Sequence, residues 1–216
     1  TAKSAGTVCL FDDSLSHEFW DVRLYGFQTY ENLEKEEHGS AGFDKTGTLV
    51  VATDPEVEKF IKTGIALTKS AGYTGEYLTD KKEILKHLPD LNLEKVLGAG
   101  WTADDGYFDP TMAASTFVRK MKANGAKVMM YTKVEKIKMR GDKVTGVDTN
   151  NGSFDLDLLV DASGPWTRYT SRMVGLELPI WHTKAEVFFL VPPKKKLGYT
   201  FPVITYPRFY ARREGD

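Results

Sequence analysis

The chain has 216 residues, with 29 basic and 30 acidic side chains, a net charge of -1 and 41% hydrophobic residues. That length can bury a core in one large or two modest domains, and the composition excludes a disordered chain. The balanced charge leaves no electrostatic case for nucleic acid or an anionic membrane as partner, and no apolar run is long enough to span a bilayer.

Residues 1–13, TAKSAGTVCLFDD, turn from small and polar to apolar and read as a loop able to wrap a ligand. The single Cys9 has no internal disulfide partner, which points to a reducing compartment and a cytoplasmic protein. From Ser16 to His38 the spacing predicts a long amphipathic helix, with Trp20, Leu24, Phe27 and Tyr30 on one stripe. Residues 46–53, TGTLVVAT, predict a strand, after which Asp54 and Pro55 supply an N-cap and an N1 proline. The helix that follows buries Val57, Phe60, Ile61 and Ile65 and ends at Gly72. Asp80 with Glu83 marks a short helix of capping-box type closed by Pro89, and residues 96–101 suit a strand.

Asp109 and Pro110 repeat the cap-and-proline signal and open a helix. Ala114, Phe117, Val118 and Met121 form its predicted apolar face, and Gly125 ends it. Residues 127–132, KVMMYT, then predict a strand. A β-meander follows over 136–155, with turns at Gly141-Asp142 and Asn150-Asn151-Gly152; the second is expected to be of type I′, with positive φ at its central residues. The meander leads into LDLLVDASGPW, residues 156–166. Its apolar core, Leu158 to Val160, suits a strand buried on both faces, parallel to 127–132, and it stops abruptly at small residues. In open α/β sheets, ligands bind outside such carboxyl ends. Residues 167–175 suit a short helix. Three strand-like segments close the chain, at 184–191, 201–205 and 207–212, and Lys194 to Lys196 read as a solvated turn.

Taken together, Asp105-Gly106-x-x-Asp109-Pro110, the helix to Gly125, the meander, the LVDASGPW turn and the GLELPI segment at 175–180 resemble the D-amino-acid oxidase superfamily of flavoproteins. That group includes sarcosine, dimethylglycine and glycine oxidases and related dehydrogenases. The resemblance implies an α/β, α+β-mixed fold. A partial Rossmann-like FAD-binding domain with the β-meander would span 1–36 and 98–175. A substrate domain with a mixed or antiparallel sheet would span 37–97 and 176–216. It also implies FAD as cofactor, with Ser4, Ala5 and Gly6 along the flavin, Val134 at the adenine, and Ala162, Ser163, Gly164 and Trp166 close to the cofactor. The implied reaction oxidises the C–N bond of an amino acid or N-methylated amine to an imine.

The G-x-G-x-x-G fingerprint is absent from the sequence, so the pyrophosphate lacks its glycine-rich helix start here. With no initial Met and a turn-like Arg213-Glu214-Gly215-Asp216 at the end, the chain reads as a fragment of a longer protein, inactive by itself and open to oligomerisation. Alternative readings are a non-catalytic substrate-binding fragment and the hydroxylase or reductase branch of flavoproteins. No metal-ligand spacing and no Ser-His-acid arrangement stand out. For substrate, the last strands carry Tyr206, Tyr210, Arg212 and Arg213. Tyr210 and Arg212 share a face by period two and form the expected carboxylate clamp, while hairpin surface charge is the plainer reading of either arginine.

Overall fold

The computed structural model describes residues 4–10, 17–184, 186–191, 197–206 and 209–213. Its elements in chain order are β1 (Thr7–Val8), α1 (Trp20–Glu36), β2 (Thr48–Ala52), α2 (Pro55–Ser70), β3 (Glu76–Leu78), α3 (Lys81–His87), β4 (Gly98–Thr102), β5 (Gly106–Tyr107) and α4 (Pro110–Ala123). Then come β6 (Val134–Arg140), β7 (Lys143–Thr149), β8 (Gly152–Asp155), α5 (Thr167–Arg172), β9 (Val203–Tyr206) and β10 (Phe209–Ala211). The fold is mixed α/β with several sheets. Two compact units divide the chain: residues 1–126 with 193–216, and residues 127–192.

The first unit is built on a five-stranded sheet in the order β10-β9-β2-β4-β3. Central β2 runs antiparallel to β4 and parallel to β9. Its sequence, TLVVA, is continuously apolar after Thr48 because both faces are covered. Leu49 and Val51 pack with Leu78, Ile84, Ala99 and Ile204. On the other face, Val50 and Ala52 meet Ile61 and Ile65 of α2. Each such aliphatic side chain contributes roughly 1.5–3 kcal/mol by leaving water. Residues 98–102, grouped from sequence with the cofactor-binding part, therefore share a sheet with 48–52 and 203–206.

The helix starts follow local chemistry. Asp54 accepts from the N–H of Glu56 and Val57, and Asp109 from those of Thr111 and Met112, each followed by proline. Asp80 caps α3 through the Lys82 N–H, but Glu83 pairs with Lys86 at 2.7 Å rather than completing a capping box. In α4 the buried residues are Pro110, Ala113 and Thr116, and Met121 is exposed, so the buried stripe is rotated from the expected one. On the expected face, Phe117 meets Tyr30 edge-on at 6.2 Å.

Against α1, Phe27 lies in a cluster with Val8, Leu10, Ala41, Phe108 and Ala113, flanked by Trp20, Leu24 and Tyr30 as the stripe predicts. A polar knot ties α1 to the loop before β2. Glu31, 8% exposed, takes Lys45 Nζ at 2.8 Å and the Tyr73 hydroxyl at 2.7 Å. Lys45 also reaches Asp104 at 3.7 Å. Burial works against the Glu31 carboxylate, but the hydrogen bonds from Lys45 and Tyr73 outweigh it and hold the carboxyl below its usual range. Burial, then Glu31, push the Tyr73 phenol up to about 12.

In the second unit, β6, β7 and β8 form the expected antiparallel meander. The turn between β7 and β8 is not type I′: positive φ falls on Gly152 alone, and Asn150 and Asn151 lack it. Their side chains are committed elsewhere, both amides donating to the Tyr131 carbonyl at 3.1 and 3.3 Å. That clip holds Tyr131 at φ 55, a left-handed value incompatible with a strand, so the expected strand 127–132 does not form. Nor do the expected strands at 156–160 and 184–191 among the described residues. Consequently 127–132 and 156–160 do not pair as a parallel ladder. The Leu156 N–H still donates to the Thr145 carbonyl of β7 at 3.1 Å, but no described segment pairs with 158–160, and Leu158 and Phe189 stand 79% and 80% exposed. Lys194 to Lys196 lie outside the described residues.

Candidate functional site

Each unit carries part of the expected site. In the first, the segment Ser4-Ala5-Gly6 enters β1, where Thr7 pairs with Tyr107 and Val8 with Gly106 of β5. Gly6 has φ +68, and a Cβ there would stand 2.2 Å from the Phe108 carbonyl oxygen, which excludes any other residue. Its own carbonyl accepts the Phe108 N–H at 2.8 Å, and its N–H donates to Ser4 Oγ at 3.1 Å. Gly106 is as tightly held, since a Cβ would lie 1.9 Å from the Asp44 carbonyl. Backbone therefore packs on backbone through 6–8, 106–108 and 44–47.

Tyr107 is fixed on this platform at both ends. Its main chain exchanges two hydrogen bonds with Asp44, at 2.8 and 3.1 Å, and its hydroxyl donates to the Asp44 carboxylate at 3.0 Å. The Arg212 guanidinium lies over its ring, 4.6 Å from the centroid. Burial first, then Asp44, raise the Tyr107 phenol, with Arg212 and Arg213 opposing. Just before Arg212, Tyr210 pairs with Thr205 and is exposed, while Ala211 packs on the core below the sheet. Arg212 is half-buried and Arg213 exposed. The structure thus brings the 4–6 segment, Tyr107 and Arg212 into one neighbourhood. Neither Asp44 nor Tyr107 is singled out by the sequence. The glycine at 106 is the one local sign of close approach there.

In the second unit, residues 161–170 form a polar clip. Asp161 accepts the Ser163 N–H at 3.0 Å and the Thr170 hydroxyl, and Ser163 Oγ lies 3.2 Å from both Thr167 and Thr170 hydroxyls. Hydrogen bonds from Ser163, then Thr170, hold the Asp161 carboxyl below its usual range. Gly164 has φ +59 with open space where a Cβ would project, and Ala162 and Trp166 are exposed, so this turn presents small residues beside one exposed indole. Such a turn fits close approach by a planar cofactor better than side-chain ligation. Val134, the first residue of β6, is half-buried and pairs with Thr149. Next to it, the Lys133 N–H donates to Asn150 Oδ1 at 2.7 Å.

This chain belongs to the DAO family of FAD-dependent oxidoreductases, whose model matches residues 1–216. Within it, the chain is 32% identical over 204 residues to human mitochondrial dimethylglycine dehydrogenase, covering 90% of this chain and 23% of that protein. It is 26% identical over 179 residues to monomeric sarcosine oxidase of Bacillus sp. (strain B-0618), covering 83% of this chain and 45% of the relative. Among solved structures it resembles L-proline dehydrogenase from P. horikoshii, with a TM-score of 0.65 at 27% identity over 74% of this chain and 42% of that one. Glycine oxidase from Geobacillus kaustophilus gives a TM-score of 0.63 at 25% identity, over 82% and 48%. The chain spans about a quarter of the dimethylglycine dehydrogenases and under half of the oxidases it matches.

Proposed function

We propose that this chain serves an FAD-dependent oxidoreductase acting on the C–N bond of an amino acid or N-methylated amine. The observation that carries the reading is the placement of Arg212 over Tyr107, directly across the β1–β5 ladder from the segment that follows Ser4-Ala5-Gly6. A loop suited to a planar cofactor and a cation suited to a carboxylate share one platform. When bound, FAD supplies the chemistry, accepting two electrons and the hydrogen from the carbon beside nitrogen and so leaving an imine for water to hydrolyse. The chain's own groups bind and orient. In the first unit, Ser4, Ala5 and Gly6 offer small residues and backbone to the cofactor. Arg212 takes the substrate carboxylate as a two-pronged donor, and Tyr210 stands beside it. The names of the relatives, which act on dimethylglycine, sarcosine, glycine and proline, support a small amino-acid substrate.

The test is made on the flavin-loaded enzyme with sarcosine and dimethylglycine. Bleaching of the flavin band by either substrate without oxygen is expected. Replacing Arg212 with Ala should raise KM at least about tenfold, equivalent to about 1.4 kcal/mol, with flavin content unchanged. Unaltered KM would place the carboxylate elsewhere, and an equal loss in Arg213→Ala would mean that Arg212 is not the sole carboxylate cation.

A further inference from the structure

We propose that Tyr107, braced by Asp44, is a positioning residue that holds the Arg212 guanidinium for substrate binding. This rests on the reading of Arg212 as the carboxylate cation. An arginine on a flexible stem loses rotamer freedom when it grips a carboxylate, so a site that pre-orders the guanidinium binds more tightly. Three features make Tyr107 such a support. Its ring face lies 4.6 Å from the guanidinium carbon. The ring cannot swing away, because the hydroxyl is tied to Asp44 at 3.0 Å while the main chain is paired on one side with Asp44 and on the other with Thr7. The neighbouring Gly106 lets the Asp44 backbone approach so closely that a Cβ would fall 1.9 Å from its carbonyl oxygen, so the platform is fixed by backbone. The phenol is raised, hence protonated at neutral pH, and adds no second charge to compete for Arg212. Arg212 Nη1 also donates to the Arg213 carbonyl at 2.7 Å, a second contact that orders the guanidinium.

The experiment measures acetate binding to the flavin-loaded enzyme by calorimetry and by the flavin difference spectrum, in wild type, Arg212→Ala, Tyr107→Leu, Tyr107→Phe and the double variant Tyr107→Leu with Arg212→Ala. Tyr107→Leu should weaken acetate binding about threefold to tenfold, the span of an exposed to a partly desolvated cation–ring contact. Tyr107→Phe, which keeps the ring and the main-chain pairing but loses the tie to Asp44, should fall between wild type and Tyr107→Leu, and Tyr107→Leu should cost nothing more once Arg212 is gone. Should Tyr107→Leu not fold, phenylalanines of increasing fluorination placed at 107 keep the shape while draining the ring face, and affinity should fall in step. Wild-type affinity in Tyr107→Leu or in the fluorinated series, alongside a loss in Arg212→Ala, overturns the positioning role and leaves the carboxylate reading intact. Additive losses in the double variant overturn it too. Wild-type affinity in Arg212→Ala removes the carboxylate reading and this inference with it.

Discussion

Two stretches of this chain share one grammar and meet opposite fates. TLVVA at 48–52 and LLV at 158–160 are both short, apolar and followed by turn-forming residues, and both read as buried strands. The first is buried throughout, with Leu49 and Val51 fully so; in the second, Leu158 and Val160 stand 79% and 77% exposed. What separates them is partners: β2 has β4 and β9 on its edges and apolar layers on both faces, whereas no described segment pairs with 158–160. An apolar run specifies a capacity for burial, and only a neighbour with unmet backbone groups turns it into a strand.

The sharpest way to break that comparison is amide exchange. In this 216-residue chain the amides of 49–51 should exchange on the order of a thousandfold or more slower than those of 158–160, because the former open only with the whole sheet. Comparable rates would mean that the second run finds a partner in solution. Next in size, Leu49→Ala should cost about 2–5 kcal/mol in denaturant unfolding, against about 0.5 kcal/mol or less for Leu158→Ala. Equal costs would show that 158–160 is buried after all.

The polar knot that fixes the loop before β2 gives the smallest and most specific effect. The Tyr73 phenol is raised from 10.0 to about 12, so its contribution to stability is complete below pH 10 and is lost as pH climbs toward 12. Glu31 is lowered, so its contribution holds above the usual carboxylate range and is lost only as pH falls through its depressed value. Tyr73→Phe should therefore flatten the alkaline fall in melting temperature while costing about 1.5–3 kcal/mol at neutral pH, as expected for a hydrogen bond to a charged group. An unchanged alkaline limb would detach Tyr73 from Glu31.

What was legible in the sequence was whatever local chemistry decides. Asp54 with Pro55 and Asp109 with Pro110 announce their helices because a cap needs only residues two and three positions on. The stripe of α1 was legible for the same reason, and so were the meander's strands. Ladders were not. The segments 127–132, 156–160 and 184–191 have strand composition, but pairing depends on chain far away, and at Tyr131 the amides of Asn150 and Asn151 win the backbone. The candidate site was half legible. Arg212 and the 4–6 segment could be named singly, yet Tyr107 and Asp44, which join them, carry no local mark beyond Gly106.

The parallel pairing of β2 with β9 also bears on how the chain acquires its structure. Thr48 is matched to Val203, so the long stretch between them must be made before the central strand gains its second neighbour. Until then an apolar edge at Leu49–Val51 stays open on a nascent protein, inviting intermolecular pairing. Closure of that one seam should be the slow event in refolding, and it should be the step at which a holding chaperone does most good.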